Sequence, residues 1–120
     1  MKLNCIMKGI GFIGKLMFAL VIAFFGINHF MNASTMAGIV PDYFPVREVI
    51  VYLTGAALIA AAVALIIGKK AQLAMTLLGV MLILIAVLVH LPGGEASMPS
   101  LLKDLAMAGA AWYMAANMSD

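Results

Sequence analysis

Cysteine occurs once in the 120 residues, at position 5. A single thiol excludes an intrachain disulfide, a Cys-x-x-Cys redox pair and a thiolate-rich metal cage. A disulfide-forming, quinone-reducing enzyme goes with them. Charge is also scarce, at 10% of the chain against about 25% in an ordinary soluble domain. Lysine and arginine total 7 and aspartate and glutamate 5, so the formal charge of +2 is too small and too scattered for a nucleic-acid surface. The alternating polarity that a membrane barrel needs is missing too. What fills the chain is apolar: 66% of it is hydrophobic, against about 45–50% in soluble domains. A soluble fold of this size cannot hide so much apolar surface, which leaves lipid as the solvent.

The apolar residues fall into runs over residues 10–30, 46–67, 73–91 and 101–118. A spanning helix needs roughly 20 mostly apolar residues, and the first three runs meet that. The fourth carries Lys103 and Asp104 in its first turn, so it either tilts little or pulls its polar start into the headgroup layer. Lipid offers the backbone no hydrogen-bond partners, so each run is expected to be helical. Pro41 and Pro45 keep the connection before the second run out of a long helix, although residues 33–39 suit a short amphipathic turn. Pro92-Gly93-Gly94 stops the third run, and Lys69-Lys70-Ala71-Gln72 is a tight link. The expected fold is all-α: one domain over residues 1–120, an antiparallel integral-membrane four-helix bundle with a short cytoplasmic link and two longer outer loops.

Orientation follows from the basic residues. Lys2, Lys8 and Lys15 precede or enter the first run and Lys69 and Lys70 fill the middle link, whereas the other side has Arg47 and Lys103 diluted by Asp42, Glu48, Glu95 and Asp104. The lysine-rich side belongs in the cytoplasm, so both termini are expected there. The opening stretch has the basic-then-apolar order of a secretory signal and is read as retained and spanning. Lys15 sits inside the first run with no acidic residue at its depth, which favours snorkelling to the inner headgroups.

Small residues point to close helix packing. Ala56, Ala60, Ala64 and Gly68 recur every four residues in the second run, beside Gly55; Gly26 and Gly109 are small sites in the first and fourth. Such surfaces let backbones approach in lipid, within one chain or between copies. In the third run Met75, Leu78, Leu82, Ile85 and Val89 are bulky and suit the grooves that alanine-rich neighbours leave.

Threading the runs back and forth gathers polar residues at the outer end. His29 closes the first run, Arg47 and Glu48 open the second, His90 closes the third, and Lys103 and Asp104 open the fourth; Asn28 and Asp42 belong to the same end. A quinone headgroup needs donors near its oxygens and an apolar slot for its tail. Proton transfer suits an imidazole beside a carboxylate. The histidine spacing matches no metal-ligand motif, so no metal is assigned. The plainer alternative is that helix ends at the headgroups are simply polar.

Phe24-Phe25-Gly26-Ile27-Asn28-His29-Phe30, with a basic residue upstream, resembles the DoxX family of small four-span membrane proteins. Val40-Pro41-Asp42-Tyr43-Phe44-Pro45, Leu53-Thr54-Gly55 and the lysine link are similar as well, and the resemblance runs from Lys15 to Gly109. Lys15, Gly26, His29 and Pro41 match the family's recurring pattern. The resemblance implies a multi-pass protein of the bacterial inner membrane. Some relatives are linked with thiosulfate:quinone oxidoreductase and others with thiol or oxidative-stress systems.

Three functions compete on these grounds. The first is an accessory or quinone-interacting component of a membrane redox system, with quinone as the cofactor and no catalytic activity of its own, or activity only as an oxidoreductase subunit. The second is a structural or assembly subunit whose small-residue faces hold partner helices or a second copy. The third is a small-solute transporter, disfavoured because Lys15 stands where a cation exporter needs a carboxylate.

Overall fold

The computed structural model describes residues 2–38 and 46–118, and every regular element among them is helical. These are α1 (Lys2–Met31), α2 (Ala33–Ala37), α3 (Arg47–Ile67), α4 (Ala71–Ile85) and α5 (Met98–Ala116). A π-helical turn, Ala86–His90, and a 3₁₀ segment, Leu91–Ser97, connect the last two. Asp42 lies outside the described residues, as does the side chain of Arg47.

The helices begin and end where local chemistry dictates. Gly68 closes α3 in the left-handed conformation (φ 76°), where a Cβ is disfavoured, and its N–H donates to the Ala64 carbonyl at 2.9 Å. Lys70 follows at φ 58°, so the link reverses the chain within three residues. α4 stays α-helical only to Ile85. The wider π turn then carries helix on to His90, and the chain kinks at Gly94 (φ 73°, ψ −151°). Pro99 falls in the first turn of α5, where its missing N–H is not needed.

Three helical stretches, Leu3–Met31, Glu48–Ile67 and Ala71–Ala116, are long and apolar enough to cross a bilayer. The third has 46 residues, roughly 70 Å if straight, more than twice a hydrocarbon core of about 30 Å. It is not straight: α4 and α5, on either side of Gly94, pack on each other. The outer surface is what a lipid-facing protein presents. Leu20, Phe24, Leu53 and Leu102 are each at least 57% exposed, a poor arrangement in water.

The core is narrow. α1 packs along α3 and α4 along α5, and α3 with α4 joins the pairs. Ala19 and Ile22 of α1 meet Leu58, Ala62 and Leu65 of α3; Met75, Leu78 and Leu82 of α4 cluster with Ala108, Ala111 and Ala115 of α5. Bulky α4 side chains thus occupy the space that alanines leave.

The small residues divide between buried and exposed positions within the chain. Gly26 and Gly55 are buried: a Cβ on Gly26 would stand 2.8 Å from the Gly55 carbonyl oxygen, and one on Gly55 would stand 2.8 Å from the His29 Cβ. Ala64 is half-buried, but Ala56, Ala60 and Gly109 are exposed. The buried stripe of α3 is instead Val51, Gly55, Leu58, Ala62 and Leu65. Helical geometry explains the difference. A strict four-residue step turns 400° and drifts round the helix, whereas alternating steps of four and three hold one face.

Candidate functional site

A cavity of about 260 Å³ opens among the ends of α1, α3, α5 and the π turn. Asn28, His29, His90, Lys103 and Asp104 all line it, with Leu58, Leu82, Ile85 and Met107 supplying apolar wall. Five residues expected at the outer polar end therefore share one chamber. Glu48 is exposed and does not line it.

Each polar side chain is positioned by the element that carries it. The Nδ1 of His29 is 2.6 Å from the Phe25 carbonyl one turn earlier. A carbonyl can only accept, so Nδ1 carries the proton; in the neutral ring Nε2 is then an acceptor. Asn28 accepts from Asn32 Nδ2 at 2.5 Å, which occupies one lone pair of its amide oxygen. Asp104 is a buried carboxylate, 5% exposed, and its Oδ2 lies 3.1 Å from His90 Nε2. A buried carboxylate needs a donor or counter-charge, and the π turn puts His90 there. Nε2 donates to Asp104, leaving Nδ1 of a neutral His90 as an acceptor. That Nδ1 is buried and makes no hydrogen bond. Lys103 stays exposed and stretches its ammonium over the Phe25 ring, 4.6 Å from the centroid.

Two imidazoles at the cavity wall thus each keep one nitrogen beyond their own protein partner. The lining combines an apolar wall with a few polar groups, the composition of a small-molecule site. Among the described residues, no group of three or more His, Cys, Asp or Glu side chains could hold a metal ion.

Sequence reading missed several wall residues. Phe25, Thr54, Ser100 and Met107 also line the cavity. Phe25 lies one turn before His29, a spacing that could have placed it on the same face. Thr54 gives no comparable sign, since its hydroxyl donates back to the Ile50 carbonyl at 2.8 Å. Lys15 is half-buried, 5.9 Å from the Phe12 ring centroid, and lies nowhere near this cavity.

At the opposite end Gln72 caps α5. Its amide donates to the Ala115 and Met118 carbonyls at 2.9 and 2.7 Å. Trp112 crosses to α4, where its indole N–H donates to the Thr76 carbonyl at 3.0 Å. Gly79 makes room for that ring, since a Cβ there would collide with the indole.

No curated protein and no solved structure matches the chain. One family does, over residues 18–91. That stretch contains Asn28, His29 and His90 but stops before Lys103 and Asp104. Because the match covers more than half of the sequence, the chain belongs to the family described as Domain of unknown function (DUF8561).

Proposed function

We propose that this protein is a multi-pass component of the bacterial inner membrane that binds a quinone-type ring at one end of its helices, serving a membrane redox or oxidative-stress system. In this reading α1, α3, α4 and α5 are four antiparallel crossings, with both termini cytoplasmic. The kink at Gly94 and the bonds from Gln72 to the end of α5 support two crossings in the last stretch. The likeness to DoxX proteins in the Gly26–Phe30 segment and the lysine link favours the same cellular setting.

The observation that carries the reading is the convergence of His29, His90, Lys103 and Asp104 on one apolar-walled cavity. Its volume, about 260 Å³, is just below the range of roughly 300–1,000 Å³ for ligand pockets. That fits a ring-sized headgroup whose tail leaves between helices into lipid. His29 Nε2 and His90 Nδ1, both acceptors in the neutral rings, match the two hydroxyls of a reduced quinol. Asp104 holds the His90 ring in place.

Solvent extraction and mass analysis of protein purified in mild detergent tests this. Retained isoprenoid quinone is expected with the natural sequence. His29→Ala should lower retention about tenfold, the worth of one hydrogen bond to a ligand, with the melting midpoint nearly unchanged. A natural chain that carries no quinone and takes up none on titration overturns the reading, as does undiminished retention by the variant.

A second reading, a helix-binding assembly subunit, draws on the exposed small residues Ala56, Ala60 and Gly109. Such a face suits a partner helix or a second copy in lipid. Co-purifying membrane subunits lost on Ala60→Leu, with no bound quinone, would favour it.

A further inference from the structure

The first half of α1 stands apart from the rest of the protein. The contact of Gly26 with Gly55 and Ile59 sets the register between α1 and α3. Eleven residues back along α1, and eleven forward along α3, Lys15 comes level with Ile66 to Lys70. The helix before it, residues 2–14, therefore continues past the lysine link by about 20 Å. A Cβ at Gly9, Gly11 or Gly14 would meet nothing within 4 Å beyond its sequence neighbours and the helix's own nearby backbone. Leu3, Ile6, Ile10 and Ile13 are all more than half exposed.

Helical geometry places two stripes on opposite sides of this segment, with the exposed Met7 and Phe12 between them and nearer the lysines. Ile6, Ile10, Ile13 and Met17 recur at steps of four, three and four, which keeps them on one stripe. Asn4, Lys8, Gly11 and Lys15 follow the same steps on the nearly opposite stripe. In water the isoleucine stripe stays wet, and deep in hydrocarbon the lysines lose their hydration. A position at the bilayer surface satisfies both. Charge agrees with that position. Lys8 and Lys15 share this end with the Lys69–Lys70 link, whereas Glu48, Glu95 and Asp104 belong to the other.

We infer that residues 2–14 are an amphipathic anchor for the anionic phospholipid surface of the leaflet beside the Lys69–Lys70 link. The lysines face phosphate and the isoleucines enter the top of the acyl chains. α1 is continuous from Lys2 to Met31 here, so docking in the membrane plane requires it to bend, and Gly11 and Gly14 are the weak points at which it would do so. The anchor rests on the chain crossing a bilayer and not on what the cavity binds.

Cys5 is exposed and is the sole thiol, so a fluorophore on it reports the depth of this segment in the full chain. The labelled protein is reconstituted into phosphatidylcholine vesicles with or without phosphatidylglycerol. With phosphatidylglycerol, nitroxides at the top of the acyl chains should quench the label and aqueous iodide should not; without it, iodide should reach the label. Lys8→Gln combined with Lys15→Gln should shift the docked-to-free ratio roughly tenfold or more toward free. Equal iodide access in both vesicle types overturns the anchor. So does quenching at the bilayer centre, which makes the segment part of the crossing, or Cys5–Cys5 crosslinking, which puts a second copy against this segment. Quinone retention reads the other end of the molecule, so either idea can fail alone.

Discussion

His90 reaches Asp104 with one ring nitrogen and leaves the other buried without a partner. At this scale the cost of an uncompensated charge decides what substitutions do. His90→Ala strands a buried carboxylate, a loss of about 3–5 kcal/mol, which should appear as an earlier denaturation midpoint in detergent. Replacing both residues by leucine should recover much of that loss, because no charge is then left alone. A double variant as unstable as His90→Ala would mean that the pair is not the source of the effect. Trp112→Phe isolates a smaller quantity. It keeps most of the ring over Gly79 but removes the N–H donated to the Thr76 carbonyl, so about 1 kcal/mol should be lost in the same assay. That His29 and His90 belong to one end of the helices was readable in the sequence from their places at the ends of apolar runs. Their ring orientations were not, since those depend on the Phe25 carbonyl and on Asp104.

Between helices, backbone proximity matters more than the count of small residues. Gly26→Ala drives a Cβ against the Gly55 carbonyl and Ile59, and backbone cannot step aside as a side-chain tip can. A loss of about 1–3 kcal/mol is expected, measured by detergent denaturation. Ala60→Val, on an exposed part of α3, should stay within about 0.5 kcal/mol. If Ala60→Val proved the more damaging, a partner would cover that face. The four-residue alanine pattern was visible in the sequence, but pattern alone does not say which face meets a neighbour. The run of residues 73–91 was equally visible. Its change from α to π geometry at Ala86 was not, because an apolar run reads alike in either helix type, and the requirement met there is the placement of His90 against Asp104.

For the molecule as a whole, side-specific labelling reads the topology directly. In a Cys5→Ala chain, Ser34→Cys and Glu95→Cys should react with an impermeant maleimide from one side of the membrane, and Lys69→Cys from the other. Labelling of Ser34→Cys and Glu95→Cys from opposite sides would dismantle the proposed crossings and the shared cavity with them. Lys15 illustrates how far one dimension reaches. Its place inside the first apolar run favoured snorkelling towards the lysine-rich end, and the α1–α3 register brings it level with the lysine link. That lengthens the part of α1 beyond the link.

Helical content and the presence of helices apolar enough to cross a membrane could be read directly from residue order, because hydrocarbon penalises every unpaired backbone group and every stray charge wherever it occurs along the chain. The meeting of His29, His90, Lys103 and Asp104 around one cavity could not, nor could the choice of Gly26 and Gly55 over Ala56 and Ala60 as the contact. Those outcomes depend on the rotation and register of each helix about its axis, which side-chain packing settles only once all the helices are together.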